Sequence, residues 1–476
     1  MTIDMDSTNS KRTALQSTQV VIDGKLQPAQ IVIENGKFTQ INKYKTTQDF
    51  PVEDVGDLVI MPGLVDTHVH INEPGRTEWE GFNTGTQSAA AGGITCVVDM
   101  PLNCTPVTTN VHALQQKMAA LDNKLWIDCG FWGGVIPESL DDLDELIKAG
   151  VLGVKSFTIH SGIDDFPKVE AEHLSQAIEI LAKYNVPYLI HAELDTQEQE
   201  PPQIGDKYQS FLLSRPKSWE NDAIDMMIDL AEKAKDKGVL GKIHIVHLSS
   251  AEALPAIRSA QQRGLNLTAE SCPHYLTLFA ENIPDGKTLF KCCPPIRELD
   301  NREQLWQGLA DGTISFVVSD HSPCTPTLKH IDTGDIENAW GGISSLQFGL
   351  SIIWTEAKKR GFNLTEVVNW MATEPANFAG LGNRKGKISC GYDADLVLFD
   401  SEKNYCIESK LIKYRHKITP YEGRIVTGMV KRTYVRGEIV YKDNKLLYYI
   451  IKKMYDSYLR YVKNVNYDNI KNSNFK

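Results

Sequence analysis

Two hydrophobic periods run along this chain, one near each end and another through the middle. Residues 18–42, TQVVIDGKLQPAQIVIENGKFTQIN, form short β-rich pieces broken at Asp23-Gly24 and Asn35-Gly36, where two-residue hairpin turns belong. The same texture returns at 394–399 and 425–441, with Gly437 between two short runs. A lone hairpin is marginal in water. The two ends therefore predict one small β-sandwich domain, composed of 12–60 and 386–445.

Between them, apolar runs alternate with amphipathic ones. Strands are expected at 58–70, 93–100, 125–132, 152–159, 187–193, 242–248, 267–271 and 313–319. Helical patterns lie between several of them, at 139–148, 170–183, 222–235, 250–263 and 302–310. Alternation of this kind predicts an α/β fold, a parallel (β/α)8 TIM-like barrel over 61–385. The rival is an open doubly wound sheet, but no Gly-rich phosphate loop follows the first strand. From Leu446 the texture changes again. Residues 446–476 are rich in Tyr, Lys and Asn, and Ile451, Tyr455, Tyr458 and Val462 would share one helix face. A docking helix with a disordered end is the expected reading of that tail, with no assigned role.

Composition narrows this picture. A chain of 476 residues exceeds what one core usually serves. With 42% hydrophobic and 23% charged residues it reads as globular. A formal net charge of −11 gives no general basic field for nucleic acid or an anionic membrane, and no apolar run would span a bilayer. The start, MTIDMDSTNSKRTALQ, carries Asp4 and Asp6 and reads as neither a signal nor a transit peptide. The closing Asn-Phe-Lys matches no common address. Nine cysteines, an odd number without a C-x-x-C pair, suit a reducing compartment. The cytoplasm is the expected location.

The chemistry concentrates at strand ends. His68 and His70 are i and i+2, so they point to one side, and neutral imidazole is the commonest metal ligand. Alone, such a pair is as easily two core or surface histidines. Three further residues change the balance: His191 closes YLIHAE, His247 closes IHIVHLSS, and Asp320 closes ISFVVSDHSPC. In a barrel these gather at the C-terminal face, where active sites form. Lys155 lies in the apolar run GVLGVKSF. An ammonium is costly to bury there, and a depressed lysine pKa makes the amine nucleophilic. Such a lysine can take up carbon dioxide as a carbamate, an anionic ligand able to bridge two metals. A snorkelling or paired lysine is the bland alternative. Two metals would acidify a bridging water and polarise a carbonyl, with Asp320 as ligand and proton carrier. His321 would support the cluster. His112, His173, His330 and His416 read as surface residues, and His244 should face away from His247.

Taken together these motifs resemble the cyclic amidohydrolases: dihydroorotases, hydantoinases with dihydropyrimidinases, and allantoinases. The resemblance covers about residues 18–445. Within the group, the stretches DTHVHINEPGRTEWEGFNTGTQSAAAGGIT, VVDMPLN, GVKSFTIHSGIDDFP, KCCPPIR, SDHSPC and NAWGGISSLQ are most similar to the allantoinase branch. It implies a binuclear, usually zinc, centre held by His68, His70, carboxylated Lys155, His191, His247 and Asp320. It also implies a dimer or tetramer and a small cyclic ureide substrate. Dihydroorotases carry Arg two residues after the second His to grip a carboxylate; here that residue is Asn72, which cannot form the same charged fork. Hydantoinases carry Tyr five residues past the lysine; here it is His160, whose N–H could serve a developing oxyanion. Cys293 and Asn338 fall where hydantoinases contact the ring, and Asn103 lies one residue from a substrate-binding Asn of dihydroorotases. The expected activity is opening of the allantoin ring. Hydantoinase-type activity and a non-catalytic interaction protein are the alternatives.

Overall fold

The computed structural model describes residues 12–196 and 202–447. The tail from residue 448 onward, including the Ile451–Val462 stripe, lies outside the described residues. Among the described residues no helix is long and apolar enough to cross a membrane.

The middle of the chain closes a parallel barrel. Strand Leu64–Val69 pairs with Ile94–Asp99, and that strand with Asp128–Phe131. Gly133–Gly134 then continues to Val154–Phe157, Pro187–His191, Lys242–Ile245, Leu267–Ser271 and Phe316–Val317, every pairing parallel. The step at Trp132 is bridged by its N–H donating to Asp99 O at 3.0 Å and by Leu152 N donating to Phe131 O at 3.0 Å. The circle closes where Val69 bridges His321 in parallel and His70 N donates to His321 O at 2.8 Å. The strands are buried on both faces, which is why they read as unbroken apolar runs. The helices outside are amphipathic. Ala171–Tyr184 buries Leu174, Ala177, Ile178 and Leu181, spaced as one helix face, and ends at Asn185 in a left-handed cap with φ 55°.

The first expected strand, 58–70, is in fact two. Val59–Pro62 belongs to the sheet built from the chain ends, and only Leu64–Val69 enters the barrel. Gly63 makes the crossing, because a Cβ there would sit 2.2 Å from Thr95 Oγ1. Val59–Pro62 lies at the join of the two ends. It runs antiparallel to Leu396–Cys406, and Val20 of Arg12–Ile22 bridges Ile60 in parallel. The result is a nine-stranded sheet. Its turns are the expected ones: Asp23 and Gly24 have φ 49° and 70°, Asn35 and Gly36 have 53° and 76°. Alternation decides which core each residue joins. Val59, Met61, Val397 and Phe399 pack into the main core with the barrel. Ile60, Leu396 and Leu398 face a second core with Ile31, Ile33 and Phe38.

Buried ion pairs fix the sheet to the barrel. Lys385 Nζ donates to Asp128 Oδ2 at 2.6 Å and Asp395 Oδ2 at 2.5 Å, and Arg436 Nη1 donates to Asp128 at 2.8 Å. These cations account for the Asp128, Asp393 and Asp395 cluster as a structural network.

Candidate metal centre and cavity

The structure brings the six expected ligands together at the C-terminal ends of the barrel strands. All are at most 5% exposed. His68 Nε2 lies 3.3 Å from both Asp320 Oδ1 and Lys155 Nζ, and His70 Nε2 lies 3.6 Å from Asp320 Oδ1. The His247 ring centre is 5.3 Å from that of His68 and 4.6 Å from that of His191. His247 and Asp320 have positive φ, 39° and 42°, a costly backbone region for such residues and one that collects at functional sites.

The donor set fits a divalent metal. His68, His70 and Asp320 present ligand atoms within 4.8 Å of one another. Burial, aided by the charge of Lys155, holds His68 and His70 well below the usual imidazole range, so they are neutral donors. Burial lowers His191 and His247 as well. His247 Nδ1 is buried with no hydrogen-bond partner, the state of a nitrogen that lacks its ligand. Lys155 is 1% exposed, and burial pushes its ammonium down to about 8. Among the described residues no carboxylate comes within ion-pair reach of it. An isolated buried amine is poorly explained as a structural cation and well explained as the site of a carbamate.

Groups behind the ligands set their tautomers, and sequence reasoning missed most of these. Glu270 accepts from His68 Nδ1, from His244 Nε2 at 3.1 Å and from His247 N at 3.4 Å. Against expectation, His244 lies in register with Leu189 and Lys155, on the face that carries the candidate ligands, because the chain leaves the strand before His247; it supports the cluster through Glu270. Burial pushes the Glu270 carboxyl up to about 8, against the pull of Lys155. A metal on His68 Nε2 would fix the ring proton on Nδ1 and keep Glu270 ionised. Glu193 accepts from His191 Nε2 at 2.6 Å and from Arg215 Nε at 3.1 Å. Burial opposes its charge, but the Arg215 guanidinium and His191 hold it down to about 2. The available signal was a lone acid inside a strand, LTAES, and an acid two residues beyond a ligand, HAE. His321 Nδ1 accepts from Ser345 N at 3.2 Å, a supporting place.

A cavity of about 490 Å³ opens over the cluster. His70, Lys155, His191, His247 and Asp320 reach it, together with Asn103, His160, Cys293 and Asn338. Asn103 Nδ2 lies 3.4 Å from His70 Nδ1 while its Oδ1 is buried without a partner. With amide oxygen and nitrogen exchanged, Oδ1 would accept from His70 Nδ1–H and leave His70 Nε2 free for a metal. His160 stands exposed at the rim. Its Nδ1 accepts from Gly162 N at 3.1 Å, which places the ring proton on Nε2. Asn338 is also at the rim, bonded to Asp335 Oδ2 at 2.8 Å. Asn72 is placed differently. Its backbone is left-handed, φ 65°, and its side chain is buried, donating to Pro323 O at 3.2 Å. It does not line the cavity. His274 is buried beside Cys272 and Asp320 with both ring nitrogens unpartnered.

A parallel barrel with buried imidazoles, a lysine and an aspartate at its strand ends defines a class, and the comparisons agree with it. Residues 59–440 match the model of the Amidohydrolase family, and the chain belongs to that family. Among curated relatives, it is 45% identical to allantoinase of Saccharomyces cerevisiae, over 90% of this chain and 95% of the relative. It is also 45% identical to allantoinase of Streptomyces avermitilis, over 90% and 96%, and 44% identical to that of Arabidopsis thaliana, over 83% and 80%. Among solved structures, L-hydantoinase (dihydropyrimidinase) from Arthrobacter aurescens superposes with a TM-score of 0.85 at 27% identity, covering 91% of this chain and 97% of that one.

Proposed function

We propose that this chain is an allantoinase, a hydrolase that opens the five-membered ring of (S)-allantoin to allantoate in purine (ureide) breakdown. The observation that carries the choice of substrate is the state of the cavity's cations. Apart from imidazoles, the described lining holds two, Lys155 and Arg215. Lys155 is buried among the ligands, and Arg215 is already held by Glu193. Glu193 offsets the guanidinium charge, so no uncompensated guanidinium remains to grip a carboxylate, and a neutral cyclic ureide suits the cavity better than dihydroorotate. Curated relatives named allantoinase or probable allantoinase, at 36–46% identity, support the same reading.

His68, His70, Lys155 as its carboxylate, His191, His247 and Asp320 would hold two divalent ions, zinc the best match to this nitrogen and oxygen set. When bound, the ions polarise the amide carbonyl and make a water acidic enough to attack near neutral pH. Asp320 takes the proton of the attacking water and delivers it to the departing ring nitrogen. A new C–O bond forms as the ring C–N bond breaks. Burial pushes the Asp320 carboxyl up to about 6, close to the working range of a proton carrier, and Ser322 Oγ orients it by donating at 2.7 Å. Asn103, Asn338 and the backbone at Cys293 orient the ring. His160 Nε2–H is the candidate donor to the developing oxyanion.

Opening of hydantoin or dihydropyrimidine rings is the second reading, favoured by the backbone likeness to L-hydantoinase. A non-catalytic relative has less support, because all six ligand positions are kept. The test is expression with zinc and bicarbonate, metal analysis, and side-by-side assay of allantoin, hydantoin, dihydrouracil and dihydroorotate. Allantoin should open fastest in a metal-loaded dimer or tetramer, sized by light scattering. Faster opening of dihydroorotate would overturn the proposal.

A further inference from the structure

One wall of the cavity lies beyond the six candidate ligands. It is built by Asp195, Arg215 and Trp219. Two segments meet there and are tied by Leu194 N donating to Trp219 O at 2.9 Å. Arg215 uses Nε and Nη2 on Glu193, and its guanidinium lies over the Trp219 ring, 5.3 Å from the centroid. That leaves the Nη1 edge without a partner among the described residues. Asp195 also faces the cavity with no ion-pair or hydrogen-bond partner among them. The two charges are not paired with each other, although they share a wall.

We propose that Asp195 and the free edge of Arg215 form the subsite for the open-chain ureido arm of the substrate. The inference rests on the allantoin reading above. A ureido group carries N–H donors on both sides of one carbonyl acceptor. A carboxylate is an acceptor only, and a guanidinium edge is a donor only. The wall offers both to a group that needs both, the guanidinium held by Glu193 and Trp219 and the carboxylate exposed at the cavity. Because Glu193 offsets the Arg215 charge, the edge serves a neutral carbonyl without demanding an anion. Unsubstituted hydantoin has the ring but not the arm, so it would leave this wall unused.

Asp195→Ala and Asp195→Asn test the idea. Arg215 is left intact, because its loss would also release Glu193 from His191. Turnover of allantoin gives KM, and competitive inhibition by hydantoin reports ring binding whether or not hydantoin is opened. Loss of a hydrogen bond to a charged acceptor should raise KM for allantoin about tenfold or more in Asp195→Ala. The inhibition constant of hydantoin should shift less than about twofold on the same principle, with metal content at the wild-type level. Asp195→Asn, which keeps one acceptor, should fall between. An unchanged KM, or a KM and an inhibition constant that rise together, would overturn the subsite while leaving the activity standing. A metal-loaded wild-type protein that does not open allantoin would overturn the reading beneath it.

Discussion

Glu270→Gln asks whether the metal cluster is set from beneath. The Glu270 side chain is fully buried. It takes hydrogen bonds from His68 Nδ1, His244 Nε2 and the backbone of His247. An ionised carboxylate only accepts, so both imidazoles turn an N–H toward it. His68 then presents a bare Nε2 to the cluster, where Lys155 Nζ lies 3.3 Å away. An amide of the same shape has one acceptor and one donor. Its NH2 must face one of the two rings, and that ring must give up its bond or shift its proton to the other nitrogen. On His68 the shift protonates Nε2 and removes it as a ligand. A hydrogen bond to a charged group is worth about 1.5–3 kcal/mol, and loss of a group behind a metal ligand typically costs about 10–100-fold in affinity. Chelator competition should show metal binding weakened about 10- to 100-fold. kcat/KM at limiting zinc should fall with it, and excess zinc should recover part of the loss. Thermal unfolding of the metal-free chain should move little, because the shape is kept. A folded Glu270→Gln protein with wild-type metal affinity would refute the reasoning.

Lys155→Ala should fold yet bind less metal, and restoring bicarbonate to a depleted wild-type preparation should raise both activity and metal content; indifference to bicarbonate would count against the carbamate. Lys329 Nζ donates to the carbonyls of Lys291, Trp340 and Gly342 at 2.9, 2.8 and 2.5 Å, holding one side of the cavity. Lys329→Met should orphan the Trp340 and Gly342 carbonyls, while Lys291 O keeps the Gly342 N–H, and should cost about 2 kcal/mol in urea unfolding and raise KM, after allowing for the burial that already pushes this ammonium down to about 8; an unshifted midpoint would contradict it. For Glu356, burial raises the carboxyl, but Lys359, Arg360 and Arg424 outweigh it and hold it down to about 2. Because the folded value lies below the unfolded 4.5, the stability it contributes is present above about pH 4.5 and is lost as pH falls toward about 2. After discounting for partial solvent screening, Glu356→Gln should remove about 1–2 kcal/mol at pH 7 and flatten the acid limb of the stability curve; parallel curves for the two proteins would be the contrary result.

What the sequence made legible follows from where the information is local. The barrel could be read because each buried strand is a short apolar run, and the ligands because each ends or follows such a run. Gly63 escaped notice because the apolar pattern continues straight through it, although the chain leaves one sheet there and enters another. Glu270 and Glu193 escaped because their meaning lies in contacts. His68 and Glu270 are 202 positions apart in the chain, and no local period links them. Asn72 shows the opposite case. Its position relative to His70 points to substrate contact, but a left-handed backbone turns the side chain onto Pro323 O instead. Suitability for a neutral substrate therefore lies in a pair of residues, not in one. It is the capture of Arg215 by Glu193 that leaves the cavity without an uncompensated guanidinium, and the same carboxylate also braces His191. A variant of this cavity that gripped a carboxylate with Arg215 would have to free it from Glu193, which would also loosen His191. On the proposed reading, specificity and metal binding would be coupled through one buried carboxylate, Glu193, which accepts from His191 Nε2 and also holds Arg215 at the cavity wall.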